Sequence, residues 1–166
     1  AHEIFLADLS RLSDIIRLTG QSPELGALVS SPKPDASLSP FQTILRNGRL
    51  SFLTVVDRYG FVRYRAANPA VAGDSRKGEK LVADALKGAP GSGVMLLSAA
   101  EAGRENPLLP GAMSLPVKAT VHARKYTKKV EERGLFQVAA APVLASDGSV
   151  AGVVYGGVLL NGDSRL

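Results

Sequence analysis

Apolar and polar positions alternate with two different periods along this chain. Between Ile4 and Leu18, Phe5, Leu9, Leu12 and Ile16 recur at helical spacing, with Ile15 beside them. Asp8, Arg11, Asp14 and Arg17 take the other faces, so the stretch predicts an amphipathic helix that stops at Gly20. Ser22 followed by Pro23 is a cap and first-turn signal, and predicts a short helix over Pro23–Val29. Ser30–Leu38, rich in Ser and Pro, reads as a loop. Ser39-Pro40 repeats the start signal for a helix to about Asn47, with Gly48 beyond it.

The period then changes to two. Phe52–Val56 is apolar and β-branched, Asp57-Arg58-Tyr59-Gly60 is a turn signal, and Phe61–Ala66 alternates. A hairpin follows, with Val62, Tyr64 and Ala66 on one face and Phe61, Arg63 and Arg65 on the other. Asn68-Pro69 ends it. Ala70–Gly78 is a loop, Glu79–Lys87 a short helix stopped by Gly88, and Gly93–Ser98 a third strand. Ala99–Glu105 has room for one or two helical turns, and Asn106–Pro116 is irregular. Val117–Ala123 alternates like a strand, and Arg124–Arg133 is a charged loop or strand end. Leu135–Leu144 and Val150–Leu160 are almost wholly apolar and are joined through Ser146-Asp147-Gly148. Continuous apolar strands are covered on both faces, so this second hairpin belongs at the sheet centre. Pro142 belongs near a strand end or a bulge. The order predicts an α+β fold with one mixed or antiparallel sheet of five to six strands and a long N-terminal helix packed on it. The 166 residues fit a single domain, with helices over 1–48 and a sheet core over 50–161.

The net charge of +5 comes from scattered residues and aromatics are few, so a basic surface is expected rather than a nucleic-acid interface. The absence of cysteine removes disulfides, thiolate metal sites and cysteine nucleophiles. No apolar run is long enough to span a membrane. A start at Ala1-His2-Glu3 without Met is expected of a segment excised from a longer chain. No nucleophile elbow, P-loop or dinucleotide fingerprint occurs, and His2 and His122 are the only histidines. Adjacent Glu131-Glu132 do not converge. No catalytic residue, metal site or cofactor is therefore expected.

The stretches FLTVVDRYGFVRYRAANP, Gly73-Asp74-Ser75, Lys87-Gly88, Ala139–Val143 and Asp147-Gly148 before AGVVYGGVLLN form a set. Together they resemble the single Cache sensor domains, extracytoplasmic relatives of the PAS fold, over roughly Leu50 to Asn161. The family pattern often carries a histidine where this chain has Ala67. The resemblance implies a periplasmic sensing module of a methyl-accepting chemotaxis receptor or a sensor histidine kinase in the inner membrane. Membrane contact would come only through helices outside this segment. A small organic anion, acetate or another short carboxylate, is then the expected ligand, bound without chemistry.

Within that resemblance Arg65 points into the pocket, where a guanidinium grips a carboxylate bidentately. The plain alternative is that Arg63 and Arg65 are solvated or pair with an acid of the first helix. Tyr155, before Gly156-Gly157, offers a hydroxyl to an anion or packs in the core with that hydroxyl on the backbone. Tyr64 belongs to the core more than to the site. His122, Lys125 and Tyr126 lie in a region that closes over the ligand in Cache-like domains, or else on the surface. Asn68 caps its own turn. A weak homodimer through Ile4–Leu18 is expected. A PAS-like dimerisation module that binds no metabolite is the alternative function.

Overall fold

In a computed structural model of the chain, residues 2–31, 39–116 and 130–161 are described. Helices α1 (His2–Gly20), α2 (Pro23–Ser30) and α3 (Ser39–Asn47) come first. Ser22 caps α2, its hydroxyl accepting from the Leu25 amide, with Pro23 in the first turn as expected. The hairpin β1 (Phe52–Asp57) and β2 (Val62–Arg65) follows, then α4 (Lys80–Leu86) and β3 (Gly91–Leu97). Next come α5 (Ala99–Glu105), α6 (Leu109–Met113), and the short strands β4 (Leu115–Pro116) and β5 (Val130–Glu131). The closing hairpin is β6 (Gly134–Leu144) and β7 (Val150–Leu159).

Five strands form one antiparallel sheet in the order β2-β1-β7-β6-β3, and β4 pairs with β5 separately. The apolar hairpin β6–β7 lies inside the sheet and is buried on both faces, because helices cover each side. On one face Leu12 and Ile16 of α1 pack with Leu25, Val29, Leu53, Val55, Tyr64 and Val154. On the other, Val82 and Ala85 of α4, Ala102 of α5, and Leu109 and Met113 of α6 pack with Phe52, Phe136, Val138 and Tyr155. The α+β reading and the helix laid on the sheet hold.

Several details differ from expectation. The first hairpin is not central, since β2 forms an edge. That edge is covered by the returning loop: the Val62 amide donates to the Asp74 carbonyl, the Gly73 amide to the Val62 carbonyl, and Phe61 bridges to Ser75. Arg63 and Arg65 do not share a face. The register slips between Val55↔Tyr64 and Val56↔Val62, so Arg63 is the extra residue of a bulge. Val62 joins the α4–α6 side with Val56, Tyr64 joins the α1 side, and Arg63 donates to the Ser31 carbonyl at the end of α2. The stretch after Asn106 is not wholly irregular, for it contains α6 and β4. Strand β3 begins at Gly91, two residues before the expected start. The alternating segment Val117–Ala123 lies outside the described residues.

Pro142 sits next to a register shift at Val143/Leu144, close to the strand end, which a residue without an amide hydrogen favours. Gly152 faces a tighter limit, because a methyl group there would overlap the Val56 carbonyl oxygen of the neighbouring strand. Backbone cannot yield as a flexible side chain does. Gly152→Ala is expected to lower stability by about 2–3 kcal/mol. Gly93→Ala, with nothing within 4 Å of the new methyl, should stay within about 0.5 kcal/mol of the parent. Urea midpoints at unchanged slope measure both; equal midpoints for the two variants would contradict the packing described.

Candidate functional site

Three adjacent strands carry the site in one row. Thr54 of β1 pairs across to Arg65 of β2 on one side and to Tyr155 of β7 on the other. Paired residues of neighbouring strands point to the same face. Here that face is the one under α4 and α5. All three side chains converge on Glu105, the last residue of α5.

Sequence places Glu105 by fixing where α5 starts. Ser98 and Glu101 form a reciprocal capping box, with the Glu101 amide donating to the Ser98 hydroxyl and the Ser98 amide to the Glu101 carboxylate. The other end is held from outside the helix. Asn68 donates to the Arg104 carbonyl at 2.9 Å, and Asn106 to the Ser51 carbonyl at 2.9 Å. Asn68 thus serves α5 rather than capping its own turn.

The Glu105 carboxylate is 1 % exposed, and both its oxygens are engaged. Oε2 accepts from Thr54 Oγ1 at 2.5 Å and from Arg65 Nε at 3.1 Å. Oε1 accepts from the Tyr155 hydroxyl at 2.7 Å, from Arg65 Nη2 at 3.3 Å and from Arg76 Nη2. An ionised carboxylate has about four lone-pair positions, so no capacity is left over. Arg65 is fully buried and also holds Asp74 bidentately, at 2.7 and 2.9 Å, while Nη1 donates to the Val71 carbonyl. Arg76 approaches Asp74 and Glu79 at 3.7 Å each. Its Nε is buried and makes no hydrogen bond among the described residues.

Electrostatics follow from this packing. Burial works against the charge on Arg65, but Asp74 and Glu105 outweigh it and raise its pKa. Burial likewise opposes the charge on Arg76, and the neighbouring carboxylates of Glu105 and Asp74 favour it. Burial pushes the Tyr155 hydroxyl well above the usual tyrosine range, and Glu105 adds to the rise, so Tyr155 stays a proton donor. The hydrogen bonds from Arg65 hold Asp74 below the usual carboxylate range. A depressed carboxylate pKa adds stability that is present above the unfolded value, about 3.9, and lost as pH falls through the folded one.

A small cavity adjoins the cluster. Phe52, Val82, Met95, Leu97 and Val138 form its apolar walls, and Arg76, Glu79, Glu105 and Tyr155 its polar end. A water's centre has about 10 Å³ there, room for about one molecule. Phe52 stands edge-on to Tyr155 at 6.0 Å between ring centres and fixes the phenol. The glycine pair after Tyr155 serves packing: a methyl on Gly157 would lie 2.7 Å from the Phe52 ring, and one on Gly156 3.0 Å from Ile16 of α1.

Of the residues singled out in the sequence, Arg65 and Tyr155 are brought together. Tyr64 is on the opposite face, 6.2 Å from the Phe41 ring. His122, Lys125 and Tyr126 lie outside the described residues. Arg65 pairs with acids as the plain alternative held, but these come from the loop after β2 and from α5, not from the first helix. Sequence reasoning missed Thr54, Asp74, Arg76 and Glu105 as site residues. The Ser98-x-x-Glu101 box was a readable signal for α5, but the strands beneath Glu105 are 40 to 51 positions away.

Removing Arg65 would leave the buried Glu105 and the partly exposed Asp74 undercompensated. Arg65→Ala is therefore expected to cost about 3–5 kcal/mol and to flatten the acid limb of the stability curve by restoring Asp74 towards its ordinary pKa. Urea titrations between pH 3 and 7 test this. A loss under about 1 kcal/mol with an unchanged acid limb would show that the cluster is not a stabilising unit.

No protein-family model matches the chain, and no curated protein matches it by sequence. Solved structures do match. The DcuS sensor domain of E. coli superposes with a TM-score of 0.57 at 14 % identity, over 92 % of this chain and 88 % of that one. The extracellular domain of the histidine kinase candidate vpHK1S-Z8 gives a TM-score of 0.51 at 14 % identity over 93 % of this chain. A domain of a candidate sensory box/GGDEF family protein from Vibrio parahaemolyticus gives the same TM-score and identity over 93 % of this chain. In these last two the chain spans about half the neighbour's length, 50 % and 52 %. A helix α1 laid across an antiparallel five-stranded sheet is thus a PAS-like fold that this chain shares with the DcuS sensor domain.

Proposed function

We propose that the chain is the periplasmic sensor domain of a transmembrane signalling receptor, a chemotaxis receptor or a histidine kinase, and that its ligand is a small organic anion such as acetate. The supporting observation is the convergence of Arg65, Arg76, Tyr155 and Thr54 on one carboxylate. Two cations and two neutral hydroxyls replace the hydration shell that a carboxylate loses on burial. No helix among the described residues is long and apolar enough to cross a membrane. Binding involves no chemistry. A ligand that favours one of two arrangements shifts their populations, and α1, packed on the far face of the sheet, carries the shift.

A second reading has its own observation. The donors are already taken by Asp74 and Glu105, and the cavity is small. Ile4 and Leu6, at the start of α1, are exposed, whereas Leu12 and Ile16 are buried. A PAS-like module that dimerises weakly through α1 and takes no metabolite fits these facts.

Calorimetry separates the two readings. Acetate and propionate are expected to bind with an affinity that falls as salt rises, while neutral acetamide does not bind. If no short carboxylate binds and sedimentation shows a concentration-dependent dimer, the interaction module is the better description.

A further inference from the structure

We infer that Glu105 is a tethered occupant of the carboxylate seat, so that an external carboxylate binds by exchanging with it. This deepens the proposed function and rests on the reading that the same donors receive a free carboxylate.

The geometry leaves little room for simple addition. Both oxygens of Glu105 are saturated, and the adjoining cavity holds about one water. A second carboxylate beside the first would also meet like charge at short range, and Glu79 already lines the same cavity. Exchange avoids both problems. One carboxylate replaces another, Arg65 keeps Asp74, and the charge of the cluster is unchanged. Glu105 regains water when it leaves, which offsets part of what the incoming anion loses. The buried Arg76 Nε, 3.7 Å from Asp74 and without a hydrogen bond among the described residues, is a donor that Glu105 does not use.

The moving part is short. Glu105 ends a seven-residue helix whose start is fixed by the Ser98–Glu101 box. Its far end is tied to Asn68 and, through Asn106, to Ser51. Leaving the seat therefore loads contacts to the loop after β2 and to the start of β1.

The choice of variant matters. Tyr155→Phe weakens the tethered and the free carboxylate alike, so it discriminates poorly. Changing the tether is informative. Glu105→Ala deletes Cγ, Cδ and both oxygens, which are the heavy atoms of acetate. Acetate should refill that space, raise the melting temperature of Glu105→Ala in proportion to its concentration, and bind the variant at least about tenfold tighter than the parent. The factor follows if Glu105 is seated nine-tenths of the time or more, because apparent affinity scales with the open fraction. Acetamide, of the same shape without the charge, should rescue far less.

Should Glu105→Ala not fold even with acetate present, Glu105→Gln serves. Its neutral amide competes less well for two arginines, so acetate should bind it more tightly than the parent. Equal acetate affinity in the parent and the folded variants overturns the exchange while leaving the anion-sensor reading standing. Binding by the variants but not by the parent overturns the exchange, because acetate then fills only the space that the substitution opens. No binding by any of the three overturns both.

Discussion

A carboxylate that leaves water has to find its compensating charge and hydrogen bonds inside the protein. Glu105 meets that requirement by drawing together parts of the chain that no local rule would join. Arg65, Thr54 and Tyr155 come from three neighbouring strands, and Arg76 comes from the loop after β2. Through Arg65, the same centre fixes Asp74 and the Val71 carbonyl, so the loop lies along the edge of β2 and covers it. One buried anion thereby accounts for the placement of α5, the course of the loop and the closed edge of the sheet.

The two faces of the sheet are coupled by adjacency along β7. Tyr155 points to Glu105, and Gly156, the next residue, leaves the space that Ile16 of α1 fills. Gly157 does the same on the site face for Phe52, whose ring braces Tyr155. A shift of the phenol therefore acts on a strand already in contact with α1, with no intervening layer of side chains. Small residues in β6 and β7 make this possible, because they let helix and ring approach the backbone closely.

Much of the fold could be read from the chain because its signals are local. The helical period of Phe5, Leu9, Leu12 and Ile16, the cap at Ser22, and the apolar runs of β6 and β7 each act within a few residues. Arg65 and Tyr155 were also within reach, as an arginine on a strand and a tyrosine among small residues. The rest of the site depends on strand register. A single extra residue at Arg63 moves Val62 to the other face and separates Arg63 from Arg65. Strict alternation cannot anticipate that. Glu105 looked like an ordinary charge at the end of a short helix, because its partners are set by the meeting of distant segments. Its role became visible only with Thr54, Arg65 and Tyr155 side by side.

The most direct measurement is a crystal structure of the protein grown with saturating acetate. The predicted result has the acetate oxygens on Arg65, Arg76, Thr54 and Tyr155, with the Glu105 side chain out of the seat and the end of α5 shifted. A structure in which acetate is bound elsewhere while Glu105 keeps all four partners would contradict it.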